Sequence, residues 1–136
     1  MSEKQKLLIV DDSEFNRDIL KEILGSSYDY LEAENGNQAI QILEVHPEID
    51  LMLLDINMPQ MNGFQVLEHM GELQWIDEVP VVMISSEESV EIMRKAYDLG
   101  ITDYISRPFD AVIVKKRVQN TLGLYAKQKR LINVVV

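Results

Sequence analysis

Residues 7–12 read LLIVDD, four consecutive apolar residues followed by two aspartates. An unbroken apolar run, without the alternation of a half-exposed strand, is typical of a parallel β-strand that is buried on both faces. The same pattern recurs in LMLLD at residues 51–55 and in VVMIS at residues 81–85. The sequence therefore predicts three buried parallel strands, each of which ends in a carboxylate or hydroxyl side chain.

Between the predicted strands, apolar residues recur at the spacing of amphipathic helices. The first helix is expected to be capped by Ser13 and to stop at Gly25. Its apolar positions are Phe15, Ile19, Leu20, Ile23 and Leu24. Further strands are predicted at 28–33 and 102–105, so that five strands alternate with five helices, the last beginning near Asp110. Such alternation predicts a doubly wound α/β sheet whose right-handed crossovers cover both faces with helices. The order of the strands cannot be read from these patterns.

The chain has the size and composition of one compact domain, with 136 residues of which 46% are hydrophobic. We place this domain at residues 1–125. We interpret residues 126–136 as a helical extension or the start of a linker, because an apolar pattern continues past the expected end of the last helix. No apolar stretch approaches the roughly 20 residues of a membrane helix, and no apolar region of a signal peptide precedes the first strand. We therefore expect a cytoplasmic protein without a membrane partner.

The charged residues are unevenly distributed along the chain, whose net charge is −10. Residues 1–110 carry all 23 Asp and Glu and seven of the 13 Lys and Arg, a net charge of −16. Residues 111–136 carry the other six basic residues and no acidic one, a net charge of +6. An acidic body is a poor nucleic-acid surface, because the phosphate backbone demands positive potential. For the basic end we favour a solvated helix face over a nucleic-acid tail.

The polar residues at the predicted strand ends form a candidate binding site. In a doubly wound sheet, ligands bind outside the carboxyl ends of the strands, so Asp12, Asp55 and Ser85 are expected to converge there. Carboxylates that share a pocket repel one another unless a cation compensates, and Mg²⁺ takes one or two carboxylates plus phosphate oxygens. Asp12 and Asp55 are the candidate direct ligands, with Asp11 acting through water and the Asn57 carbonyl as another protein oxygen. An aspartate at a strand end is alternatively only a turn residue or a helix cap, a reading that stays open for Asp11 taken alone.

Two further side chains at this edge suit a phosphoryl group. The Ser85 hydroxyl can donate a hydrogen bond to a phosphoryl oxygen. Arg107 follows the fifth predicted strand and can supply the positive charge that phosphoryl transfer requires. The alternative for Arg107 is an ordinary surface salt bridge.

Taken together, these residues resemble the receiver domain of two-component response regulators, the family typified by the single-domain chemotaxis regulator. The resemblance covers about residues 5–125. It rests on VDDS at residues 10–13, LDINMPQMNG at 54–63, Ser85, Asp103-Tyr104, and RPF at 107–109. Each of these features alone is weak, whereas their combination is highly specific.

The resemblance implies the strand order 2-1-3-4-5 and a phosphoacceptor function. Asp55 would be the nucleophile that takes a phosphoryl group from a phosphohistidine of a sensor histidine kinase or phosphotransfer protein. The implied Mg²⁺ ligands are Asp11, Asp12, Asp55 and the Asn57 carbonyl. Ser85 would be the switch hydroxyl and Tyr104 the switch aromatic, which together change the surface of the fourth helix, fifth strand and fifth helix. That surface is also the candidate homodimer interface.

Arg107 departs from the family pattern, in which this position is normally Lys. Arginine is a longer, planar group that pairs bidentately with phosphate, so the exchange is not conservative. Arg107 either binds the phosphoryl group with altered kinetics, which we favour, or marks an atypical receiver that acts as a phosphorylation-independent dimerisation or docking module. The resemblance also predicts a cis bond before Pro108. Asn57 and Glu87 resemble the polar residues of members that lose phosphate faster.

We expect a signalling protein that catalyses only its own phosphorylation and dephosphorylation. The enzyme-class alternative is a Mg²⁺-dependent phosphatase acting on other substrates. The Asp-x-Asp arrangement expected of it after the first strand is missing, because Asp11-Asp12 is followed by Ser13 and Glu14. The basic last helix suggests that an output module follows it in the native protein.

Overall fold

The computed structural model describes the backbone of residues 4–58, 61–86 and 89–135, and the side chains of these ranges as far as residue 126. The described strands form one sheet in the order β2-β1-β3-β4-β5, and each neighbouring pair is parallel. The strands are β1 (Gln5–Val10), β2 (Tyr28–Ala33), β3 (Leu51–Asp55), β4 (Val81–Ser85) and β5 (Asp103–Ser106). The predicted doubly wound fold and the strand order implied by the resemblance are confirmed.

A helix follows each strand, and its ends are set by local capping. The α-helices are α1 (Glu14–Leu24), α2 (Gly36–Val45), α3 (Gly63–Glu72), α4 (Val90–Asp98) and α5 (Ala111–Val135). The Ser13 hydroxyl accepts a hydrogen bond from the Asn16 amide at 3.2 Å, and α1 stops at Gly25, whose φ of +84° suits glycine. The predicted start and stop of this helix are therefore confirmed.

The helices bury the sheet from both sides. One apolar cluster joins β1, β3 and β4 to α2, α3 and α4, and the other joins the opposite side of the sheet to α1 and α5. Every residue of β3 and β4 is buried, which explains why these strands read as unbroken apolar runs. Packing on both sides of the sheet thereby fixes the positions of the carboxyl ends of β3 and β4.

Phe15 does not belong to the apolar face of α1, contrary to the expectation from its spacing. Its side chain is 72% exposed, whereas Leu20 and Leu24 are buried. Phe15 and Leu24 are nine residues apart, and each residue rotates by roughly 100° around the helix axis. Nine residues therefore make about two and a half turns, which places Phe15 and Leu24 on opposite sides of α1. Arg17 takes a buried position on α1 instead, at 7% exposure.

The last helix, α5, is the longest helix among the described residues. It begins after Asp110, whose carboxylate accepts a hydrogen bond from the Ile113 amide at 3.1 Å, and it runs for 25 residues. Val114, Val118 and Leu122 pack against the sheet, whereas Leu124 is half exposed. Within the described ranges, no helix has the length and apolar character needed to cross a membrane.

Candidate functional site

Three carboxylates meet at the carboxyl edge of the sheet. Asp11 and Asp12 follow β1, and Asp55 is the last residue of the adjacent strand β3. One carboxylate oxygen from each of the three lies within 4.8 Å of the others. Ser85 ends the next strand, β4, and its side chain is 3% exposed. The structure thus brings together residues that are 43 and 30 positions apart in the chain.

Backbone hydrogen bonds orient the two buried carboxylates. The Asp11 carboxylate accepts a hydrogen bond from the Ser13 amide at 2.9 Å, and the Asp55 carboxylate accepts one from the Asn57 amide at 3.0 Å. Each contact spans two residues and tightens the turn that leaves the strand. Asn57, whose amide makes the contact with Asp55, is an exposed residue.

Asp11 and Asp55 differ from Asp12 in their access to water. Asp11 is fully buried and Asp55 is 1% exposed, whereas Asp12 is exposed. Burial raises the pKa of Asp11, and the Ser13 amide and the charge of Arg107 counteract that rise only in part. Burial likewise raises the pKa of Asp55, and the neighbouring Asp11 adds to the rise. Both carboxylates are therefore held in surroundings that favour a compensating cation.

Arg107 provides such a cation from the end of β5. Its Nη2 atom lies 2.5 Å from Asp11 Oδ2 and 3.2 Å from Asp55 Oδ2. The Arg107 amide donates to the Ser85 carbonyl at 3.1 Å, which fixes this residue beside β4. Arg107 thus forms salt bridges, and both of its carboxylate partners are buried. The peptide bond from Arg107 to Pro108 is cis, as predicted.

Arg17 supports the site, although sequence reasoning did not identify it. Its Nη1 donates to the Asp11 carbonyl at 2.6 Å, and its Nε donates to Glu32 at 2.9 Å. Arg17 thus ties the turn after β1 to β2. The sequence did carry a signal for Arg17, because it lies at helical spacing from the buried Leu20 and Leu24. A buried charge without a partner is costly, so a basic residue at such a position indicates a partner on another element.

Gly63 is a second supporting residue, which the motif at 54–63 contains but to which sequence reasoning gave no role. A Cβ atom there would lie 2.6 Å from Ile56 Cα and 2.8 Å from the Asp55 carbonyl oxygen. Only glycine lets the start of α3 approach the loop after β3 this closely. Asn62 and Gln65 then cap the helix reciprocally at 3.0 and 2.9 Å. Pro59, Gln60 and Glu87, which belong to the predicted site surroundings, lie outside the described residues.

Tyr104 lies on β5, two residues from the end of the strand, and is partly buried. Arg117 of α5 donates to the Tyr104 carbonyl and places its guanidinium carbon 4.9 Å from the centre of the tyrosine ring. This cation–π contact connects β5 to α5. Tyr104, the predicted switch aromatic, therefore lies on β5 and contacts α5, which are two of the three elements whose surface it is expected to change.

The parallel sheet has the strand order of a chemotaxis-regulator-like fold, and the three aspartates at its carboxyl edge could hold a metal ion. The profile of the response regulator receiver domain family matches residues 7–119. The chain therefore belongs to this family.

Individual relatives agree with this assignment. The chemotaxis protein CheY homolog of Campylobacter jejuni is 32% identical over 120 residues, covering 87% of this chain and 92% of its own length. Chemotaxis protein CheY1 of Helicobacter pylori is 33% identical, with coverage of 87% and 97%. The solved structure of Vibrio cholerae CheY4 is 26% identical and superposes with a TM-score of 0.80 over 88% of this chain and 99% of its own. These relatives place the chain among the response regulators of two-component signalling.

Proposed function

We propose that the chain is a phosphoacceptor whose Asp55 receives a phosphoryl group with the help of Mg²⁺. The observation that carries this proposal is the buried Asp55 carboxylate, flanked by two more carboxylates and by Arg107. In the reaction, an Asp55 oxygen forms a bond to phosphorus while the bond from phosphorus to the donor imidazole breaks, and the imidazole nitrogen keeps the electron pair. During the transfer, negative charge spreads over the phosphoryl oxygens, and the positive charge of Arg107 balances it.

The residues present fit a magnesium ion. Mg²⁺ prefers hard oxygen ligands and commonly uses one or two carboxylates besides water and phosphate oxygens. Asp11, Asp12, Asp55 and the Asn57 carbonyl would hold it, and the exposed Asp12 gives a route of entry. When bound, the ion would neutralise the carboxylates and the incoming phosphoryl group.

The proposed output is a change in the surface formed by α4, β5 and α5. Ser85 would donate to the phosphoryl group, and Tyr104 would turn inward as the α4 side of the sheet rearranges. Among the described residues, five large apolar side chains of α4 and α5 are exposed, namely Val90 at 61%, Tyr97 at 44%, Val112 at 66%, Ile113 at 45% and Leu124 at 50%. We propose that another protein or a second copy of the chain covers these side chains on binding.

The proposed phosphoryl donor is a sensor histidine kinase or a phosphotransfer protein, a pairing that we place in the cytoplasm, where ATP is available to the kinase. An output domain is proposed beyond α5. A related segment occurs within a longer protein, a probable cyclic di-GMP phosphodiesterase of Vibrio cholerae, which is 32% identical over 127 residues that make up only 29% of its length. We place the receiver domain at residues 1–125 and the helical extension at 126–136.

The function is tested by incubating the full chain with Mg²⁺ and a small acyl phosphate, followed by intact-mass measurement. We expect one added phosphoryl group, which is lost in Asp55→Asn and when Mg²⁺ is omitted. Asp98→Asn is the matched control, because Asp98 is an exposed aspartate on α4. The absence of an adduct with both the acyl phosphate and a cognate kinase would refute the proposal.

A second candidate function rests on Arg107, which already neutralises Asp11 and Asp55. In it, the chain is a phosphorylation-independent dimerisation or docking module. This candidate requires the same oligomeric state with and without beryllofluoride, a phosphoryl mimic, as measured by light scattering. A shift induced by the mimic would exclude it. Neither candidate acts on external substrates, so hydrolysis of a generic phosphoester is expected to stay at background.

A further inference from the structure

The short segment that joins β2 to α2, residues 33–36, contacts both turns that leave the carboxylate site. At its start, the Ala33 carbonyl accepts a hydrogen bond from the Asp11 amide at 3.1 Å. At its end, Gly36 is buried in the first turn of α2 and faces Met61, which belongs to the loop after β3. Because β2 and β3 lie on opposite sides of β1, the segment reaches past the end of β1. It thereby connects the turn at Asp11 to the loop that follows Asp55.

The contact between Gly36 and Met61 leaves no room for a side chain at position 36. A Cβ atom there would lie 2.7 Å from three atoms of Met61, namely Cβ, Cγ and the carbonyl oxygen. Non-bonded heavy atoms normally stay about 3.5–4.0 Å apart. The carbonyl oxygen belongs to the backbone and cannot rotate away, so a side chain at position 36 would displace the loop itself.

The same loop is held from its other side by the start of α3. The Gly63 amide donates to the Ile56 carbonyl at 3.2 Å, and the Gly63 Cα packs directly onto Ile56. Asn57 follows Ile56, and its amide orients the Asp55 carboxylate at 3.0 Å. A displacement imposed at Met61 is therefore expected to reach Asn57 and Asp55, because the loop is confined between α2 and α3.

The segment itself is too well anchored to absorb such a displacement. The Asn35 side chain accepts a hydrogen bond from the Gln38 amide at 2.9 Å, and the Gln38 side chain accepts one from the Glu34 amide at 2.8 Å. This reciprocal capping fixes the direction in which the chain enters α2. Ala33 is 1% exposed and belongs to the apolar core. Residues 33–36 therefore form a strut between the two turns.

We propose that Gly36 is a positioning residue of the metal site, which lets the strut set the place of Asn57 and Asp55 relative to the turn at Asp11. This inference rests on the proposed function, because it concerns the geometry of the same site. Gly36 acts through Met61 and the loop.

The test is isothermal titration of MgCl₂ into the full chain without a phosphodonor, for the wild type and Gly36→Ala. We expect Gly36→Ala to bind Mg²⁺ about tenfold more weakly, because changes to groups that orient metal ligands typically cost about 10–100-fold in affinity. Gly123→Ala is the matched control, since a Cβ atom at this position of α5 has no described atom within 4 Å. Its affinity is expected to stay within about twofold of the wild type.

Two further measurements separate positioning from a loss of stability. In the ion-free protein, the amide resonances of Asn57 and Asp11 are expected to shift in Gly36→Ala and to stay in place in Gly123→Ala. Met61→Gly removes two of the three atoms that the added Cβ would meet. In that background, Gly36→Ala is expected to lower the Mg²⁺ affinity by less than about threefold, since residues in contact act non-additively.

The possible results distinguish this inference from the proposed function. Thermal unfolding checks that each variant folds. A folded Gly36→Ala with wild-type or higher Mg²⁺ affinity would overturn the positioning role and leave the phosphoacceptor proposal intact, and an undiminished effect in the Met61→Gly background would overturn the route through Met61. If Gly36→Ala does not fold, Met61→Gly alone decides, because the loop then loses its support on α2. Weaker Mg²⁺ binding by this variant supports the inference and wild-type binding overturns it. No Mg²⁺ binding by any of the proteins would overturn the proposed metal site as well.

Discussion

Replacing Gly63 by Ala tests whether the close packing of α3 against the loop after β3 shapes the site. The added Cβ would lie 2.6 Å from Ile56 Cα and 2.8 Å from the Asp55 carbonyl oxygen, and both of these are backbone atoms that cannot rotate away. Overpacking of this kind costs about 1–3 kcal/mol, and contact with rigid backbone favours the upper part of that range. We therefore expect the free energy of unfolding to fall by about 2–3 kcal/mol.

Gly71→Ala provides a control on the same helix. A Cβ atom at Gly71 has no described atom within 4 Å, so alanine is expected to stabilise the chain by about 0.5 kcal/mol through helix propensity. Urea unfolding followed by circular dichroism measures both changes. Equal effects of the two substitutions, or a loss below about 0.5 kcal/mol for Gly63→Ala, would refute the reasoning. Weaker Mg²⁺ binding in Gly63→Ala alone would show that the strain reaches Asp55.

Three further predictions concern the site and its support. Burial raises the pKa of both Asp11 and Asp55, so the ion-free chain is expected to lose stability as the pH rises from the ordinary aspartate pKa through the raised folded-state pKa. Urea unfolding across this pH range should show a smaller loss of stability for Asp55→Asn than for the wild type. The same dependence of stability on pH in both proteins would contradict the electrostatic argument. Arg17→Met is expected to cost about 1–3 kcal/mol and to weaken Mg²⁺ binding, because the Asp11 carbonyl loses its donor; calorimetry showing wild-type stability would refute this. Phe15→Ser is expected to change stability by less than about 0.5 kcal/mol, whereas Leu20→Ala should cost about 2–5 kcal/mol, and comparable losses in urea unfolding would contradict the outward position of Phe15.

The architecture could be predicted from the sequence because its strongest signals are local. Buried parallel strands require unbroken apolar runs, and a polar residue at the end of each run marks the edge where ligands bind. The convergence of Asp11, Asp12 and Asp55 follows from that geometry. The order of the strands came instead from the family resemblance, since no periodic pattern determines which strands are neighbours.

The features that could not be predicted depend on contacts between distant segments. Phe15 fits a helical spacing, but α1 was found to bury the side that carries Arg17, whose partner Glu32 lies on another element. The need for glycine at position 63 arises only when α3 packs onto Ile56. The sequence predicted that Arg107 lies at the carboxyl edge of the sheet. It did not predict that one nitrogen of its side chain contacts both Asp11 and Asp55.

The central claim, that Asp55 accepts a phosphoryl group, is tested most directly by locating the modification within the chain. After reaction with an acyl phosphate and Mg²⁺, borohydride reduction of the acyl phosphate and tandem mass spectrometry of the peptides would identify the modified residue. We predict that the label lies on Asp55 alone and disappears when Mg²⁺ is removed. A label on Asp11 or Asp12, or a label on Asp55 that forms equally well without the ion, would contradict the account.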